Sequence, residues 1–173
     1  MQKLALRAWF QALVASLIAA CGSTAFAQIF VTSNSSNNVL EFDAITGAFV
    51  STFVPAGSGG LSSPQGIAFG PDGNLYVATS GGAILRYNGQ TGAFIDTFVA
   101  SAGSQAFATI LFGRNGYLYV GDFGAQPPNT RIYDGTTGVF LGIFGSTAPL
   151  AGGPGVFGPD GNFYAGGGTA RSV

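Results

Sequence analysis

The chain has 173 residues, of which 29 are Gly and 8 Pro; 47% are hydrophobic, only 8% are charged, and the formal net charge is −1. Many apolar residues with few charges exclude an intrinsically disordered chain, and also a helical bundle, whose exposed faces need Glu, Lys and Arg. What is left is a β-rich fold dense in turns, and the lack of a basic footprint excludes nucleic acid as a partner.

The amino-terminal segment opens with Lys3 and Arg7, runs through an apolar stretch from Ala8 to Ala20 and ends in Ala25-Phe26-Ala27. These are the parts of a signal peptide spanning residues 1–27, with cleavage expected after Ala27. Two other readings stay open. Ile18-Ala19-Ala20-Cys21-Gly22 resembles a bacterial lipobox, in which Cys21 is lipidated and becomes the new amino terminus. An uncleaved anchor is the third, although the apolar run is shorter than the roughly 20 residues of a spanning helix. All three place residues 28–173 outside the cytoplasm, as a secreted, periplasmic or cell-envelope protein, or as a lipoprotein held through Cys21.

There is no His, and the only Cys, Trp, Lys and Met (Cys21, Trp9, Lys3, Met1) fall within the first 21 residues. Beyond Ala27 the chain therefore has no thiol, imidazole or amine side chain. Nucleophile and base pairs of the Ser/His, Cys/His or Lys type are unavailable, as are zinc sites of the usual composition. A lone Cys also means no disulfide framework, so packing must hold the fold.

From residue 29 onward short apolar runs alternate with turn signals. Residues 29–54 supply the second, third and fourth strands of one unit. Residues 64–99 supply four: Gly66 to Phe69, a tight turn at Pro71-Asp72-Gly73, Leu75 to Thr79 apolar on both faces, Ile84 to Asn88, a hairpin loop from Gly89 to Gly92, and Ala93 to Val99. Residues 107–145 repeat the four, and residues 154–166 supply two more. Thr-Gly pairs ending at Gly47, Gly92 and Gly138 lie 45 and 46 residues apart, and the cassettes starting at Phe69, Phe112 and Phe157 lie 43 and 45 apart. A period in the forties built from short strands is the range of four-stranded propeller blades. The pairs Phe49/Phe53, Phe94/Phe98 and Phe140/Phe144 are four apart, which predicts one shared face of the fourth strand, packed blade against blade rather than offered as a sugar platform.

Ser63-Pro64-Gln65-Gly66-Ile67-Ala68-Phe69-Gly70-Pro71-Asp72-Gly73-Asn74-Leu75-Tyr76-Val77-Ala78, followed by Ala83-Ile84-Leu85-Arg86-Tyr87-Asn88, resembles an NHL-type repeat. The resemblance covers about residues 28–170. It implies a β-propeller, commonly six-bladed, and kinship with lactonase-like propellers of the gluconolactonase type, which hold a divalent metal in the central channel with Glu, Asp and Asn. The chain departs from the pattern where Thr79 replaces the Asp after Tyr-Val-Ala, whereas Asp122 keeps an acid. The third unit's first strand also lacks the Pro and Gly.

The fold expected is all-β, a partial β-propeller of four-stranded antiparallel blades with about three blades and part of a fourth. Thirteen strands fall short of the four to eight blades of closed propellers. The expectation is therefore a fragment of a longer protein or a homo-oligomer that completes the ring. No catalytic residues and no cofactor are assigned. Calcium is the one metal considered, with Asp122 as the candidate ligand beside Asn34 and Asn129. An EF-hand loop fails because Ala83, not Glu, stands at the twelfth place of a loop starting at Asp72, and Gly57-Ser58-Gly59-Gly60 and Gly166-Gly167-Gly168 do not follow a strand and open a helix, so they cradle no phosphate. The favoured function is a non-catalytic scaffold whose variable loops, Ser33 to Asn38, Ser80 to Gly82 and Gly121 to Asn129, bind a protein or a cell-surface polymer. Asn34, Asn37, Ser80, Asp122, Gln126 and Asn129 are its candidate contact residues. The alternative is a truncated metal-dependent lactonase-like propeller.

Overall fold

The computed structural model of the chain describes residues 27–101, 103, 106–144 and 155–165. Residues 1–26 with Cys21, the glycines at 166–168 and the last five residues lie outside them. Among the described residues thirteen strands form four antiparallel sheets whose order follows the chain. The first sheet holds β1 (Gln28–Ser33), β2 (Asn38–Asp43) and β3 (Phe49–Val54). The second holds β4 (Pro64–Phe69), β5 (Leu75–Thr79), β6 (Ile84–Tyr87) and β7 (Phe94–Val99). The third holds β8 (Phe107–Phe112), β9 (Tyr117–Asp122), β10 (Asn129–Asp134) and β11 (Phe140–Phe144), and the last holds β12 (Gly155–Phe157) and β13 (Phe163–Ala165). The only helical piece among the described residues is a one-turn 3-10 segment, Ser58–Gly60.

Short polar side chains fix where each strand turns. In the loops before β3, β7 and β11, an Asp or Asn side-chain oxygen (Asp43, Asn88, Asp134) accepts the N–H of the residues two and three ahead and the hydroxyl of Thr46, Thr91 or Thr137. Those donors, the backbone N–H of Thr46 and of Thr137 foremost, hold the Asp43 and Asp134 carboxyls below the ordinary 3.8. Between first and second strands, Asp72 and Asp160 accept from the Asn two residues on and from the Tyr four residues on, Tyr76 and Tyr164.

The sheets stack face to face, and the core lies between them. One buried cluster joins Val39 and Val54 of the first sheet to Leu75, Val77, Leu85 and Tyr87 of the second. The other joins Tyr76, Ile84 and Val99 to Phe107, Leu118, Val120 and Tyr133 of the third. β5 is buried at every residue, as its apolar run predicts. Adjacent first strands approach so closely that a Cβ on Gly66 would stand 2.7 Å from the Ala108 carbonyl oxygen.

Across each boundary runs the same aromatic relay. Phe30 meets Phe53 at 4.7 Å in its own sheet and Phe69 at 5.3 Å in the next; Tyr76 likewise meets Phe98 and Phe112, and Tyr119 meets Phe144 and Phe157. Phe53, Phe98 and Phe144 thus do pack blade on blade. The phenylalanines four places earlier do not share their face. Phe49, Phe94 and Phe140 stack instead on Phe42, Tyr87 and Tyr133 and are half exposed. A register shift in each third-to-fourth pairing, as between Arg86 and Tyr87, puts an extra residue into the fourth strand and turns one Phe of each pair over.

Candidate functional site

The connections from second to third strands, residues 34–37, 80–83 and 123–128, lie at the same end of their sheets, because each joins equivalent strands in equivalent register. Asn34, Ser80 and Gln126 are exposed there, Asn37 and Asn129 half-buried, and Asp122 fully buried.

The first two connections are tied together by the link between the sheets. The Asn37 side-chain oxygen accepts the Ser63 N–H at 2.7 Å, and the Ser63 carbonyl accepts the Ser80 N–H at 3.1 Å. Asn37 and Ser63 have φ of 53° and 46°, left-handed values, and they are the non-glycine residues of this kind among those described. Asn tolerates that conformation; Ser is strained by it. Next to Ser63 opens a groove of about 360 Å³, lined by Gly60, Ser62, Thr79, Ser80, Gly81, Ala83, Leu85 and Ser101. Its walls carry hydroxyls and backbone groups and no charge. Two of the hydroxyls are used internally: Thr79 Oγ1 donates to the Ala83 carbonyl and accepts its N–H, and Ser101 donates to the Gly81 carbonyl. Below the groove the Tyr87 hydroxyl donates to the Ser58 carbonyl at 2.8 Å, and burial pushes that phenol well above its usual value.

Asp122 organises the third connection from within. Its Oδ1 accepts the N–H groups of Ala106, Gly124 and Ala125 at 3.0 to 3.2 Å, and its Oδ2 accepts from Arg131 Nε at 2.7 Å. The Arg131 guanidinium also lies over the Phe140 ring at 5.3 Å. As a calcium ligand Asp122 does not fit, since all its donors are supplied by the chain and neither oxygen reaches solvent. Asn129 is its cross-strand neighbour, but Asn34 belongs to the turn of another sheet. Among the described residues no three His, Cys, Asp or Glu side chains come together.

Several residues escape a sequence reading. Ser63 and Thr79 shape the groove, and Arg131 completes the Asp122 anchor. Asn38, also missed, and the sequence candidate Asn129 open equivalent strands, each with a buried side-chain oxygen lacking a hydrogen bond, where the middle sheet has Ala83. Superposing the repeats would have flagged Arg131, which stands where the other two have Leu40 and Leu85.

A family profile described as "Strictosidine synthase-like, N-terminal" matches residues 54–87, from the end of β3 through β6. None of the curated proteins matches the sequence. Among solved structures, a catalytically inactive virginiamycin B lyase from Staphylococcus aureus, determined with quinupristin, superposes with a TM-score of 0.60 at 19% identity, covering 83% of this chain and 46% of that one. The WD40 repeats of RRP9 superpose with a TM-score of 0.53 at 16% identity, covering 67% of this chain and 34% of that one.

The described sheets are blades of a β-propeller. This chain spans about a third of the RRP9 propeller and just under half of the lyase. On the propeller, the groove sits on connections between second and third strands of the second blade, with the turn of the first blade braced against it through Ser63.

Proposed function

We propose that the chain is an exported, non-catalytic propeller whose groove beside Ser63 binds an uncharged segment of a cell-surface polymer. The carrying observation is the strained Ser63, held by the Asn37 side chain and itself holding Ser80, which lines a groove walled by uncharged residues. Backbone strain of this kind is retained where the surroundings over-determine it, and it concentrates at binding sites. A charge-free wall, mostly apolar with a few hydroxyl and backbone groups such as those of Ser62 and Ser80, suits neutral chains better than ions. The lipidated form anchored through Cys21 and the secreted form would present the same groove.

Calorimetric titration of the purified protein with neutral cell-wall polysaccharide tests this. Saturable binding is expected, weakened at least about tenfold by Ser80→Trp, which fills the groove from an exposed position. Binding to a protein ligand alone, or polysaccharide binding untouched by Ser80→Trp, would overturn it. The alternative, a metal-dependent lactonase-like propeller, draws on the fold shared with the lyase. Saturable calcium binding by the purified protein together with calcium-dependent lactone hydrolysis would establish that alternative.

A further inference from the structure

Blade-to-blade packing here uses two unlike faces. One face of each blade receives the blade before it. In the second blade this receiving face shows Leu75 and Val77, in the third Leu118 and Val120, and all four are fully buried. The opposite face covers the blade after it, and its centre is the second-strand aromatic, Phe30, Tyr76 or Tyr119.

In the first blade the residues equivalent to Leu75 and Val77 are Ile29 and Val31. They stand 48% and 43% exposed. Register pairs them with Phe42 and Leu40, and Phe42 in turn with Phe49, so these five form one apolar face turned away from the second blade. In the last described blade, Phe157 and Phe163 point back to Tyr119. Their neighbours Val156 and Tyr164, cross-strand partners on the other face, are 59% and 54% exposed. Tyr164 is the equivalent of Tyr76 and Tyr119. Among the described residues the chain thus carries a receiving face and a covering face that no described blade meets, two halves of an interface that it makes three times internally.

We propose that the first blade's face around Ile29 and Val31 docks the last described blade, around Val156 and Tyr164, of a second copy of this chain. The contact is head-to-tail and continues the stacking already present between the blades. It does not rest on what the groove binds. A head-to-tail contact closes into a ring when the rotations sum to a full turn and otherwise extends as a chain.

Light scattering coupled to size exclusion, with the purified protein and two variants, tests it. Val31→Glu spoils only the receiving face and Val156→Asp only the covering face. Each is expected to raise the dissociation constant at least about tenfold, because a carboxylate is forced into an apolar contact. Each variant retains the half that the other has lost, so mixing them restores association and stops it at one-to-one pairs. Circular dichroism verifies that both variants fold, and Ile29→Asp substitutes if Val31→Glu does not. A wild-type protein that stays monomeric up to about 100 μM overturns the proposal. So do variants that associate like the wild type, or a mixture that remains monomeric.

Discussion

Asp122 shows how a residue of the type expected at a metal site can instead be consumed by the chain. Four hydrogen bonds converge on it, three from backbone N–H groups around a loop and one from the Arg131 guanidinium. Removing one partner of a buried pair leaves the rest unsatisfied, so Asp122→Ala is expected to destabilise the fold by about 3–5 kcal/mol in urea unfolding. A loss under about 1 kcal/mol would contradict its place as the anchor of that loop. The acid at the end of a second strand was legible in the sequence, but its orientation was not. Whether such a carboxylate turns to solvent or into the chain depends on Arg131, nine residues away, and on the N–H groups that a loop of irregular backbone presents. Thr79, at the equivalent place, does similar work with one hydroxyl and holds a tighter turn.

The strand is the scale at which sequence and structure agree best. The repeated Pro-Asp-Gly and Thr-Gly signals mark the turns correctly because Asx-type hydrogen bonds are local and need no knowledge of the rest of the fold. The first strand of the second blade begins two residues earlier than its pattern implies, at Pro64, because Pro64 pairs across to Thr79 beyond a bulge. Bulges also explain the mistaken face of Phe49, Phe94 and Phe140, since one extra residue inverts the alternation without altering composition. The glycines of Thr-Gly carry a further constraint. Gly92 and Gly138 have positive φ, and a Cβ on either would overlap the carbonyl oxygen of Phe53 or Phe98 in the preceding blade, whereas Gly47 has the same conformation with nothing nearby. Gly47→Ala should cost about 1–2 kcal/mol for the left-handed backbone alone. Gly92→Ala should cost about 1–3 kcal/mol more, for the displaced carbonyl. Equal losses in thermal or urea unfolding would show that the blades part freely at that loop.

On the scale of the molecule, stability is a sum over blades and the boundaries between neighbours. The second blade is covered on both faces by described blades, and β5 is buried at every residue and β6 at all but Arg86. At concentrations where the chain is monomeric, amide hydrogen exchange should therefore be slowest in β5 and β6 and faster in β1 and β13, whose outer faces no described blade covers. Uniform protection across all four sheets would mean that the blades unfold as one unit. The blade count and the stacked arrangement were legible from the period of the repeat, while the unequal faces were not, because Ile29 and Val31 look in sequence like any buried strand. Each sheet is ordered as the chain runs, every strand pairing with its immediate predecessor or successor. Pairing of that kind never waits for the distant end of the polypeptide. A chain threaded through a translocon from its amino terminus would then complete each hairpin on the far side as it emerged, and every finished blade would be the template on which the next one packs.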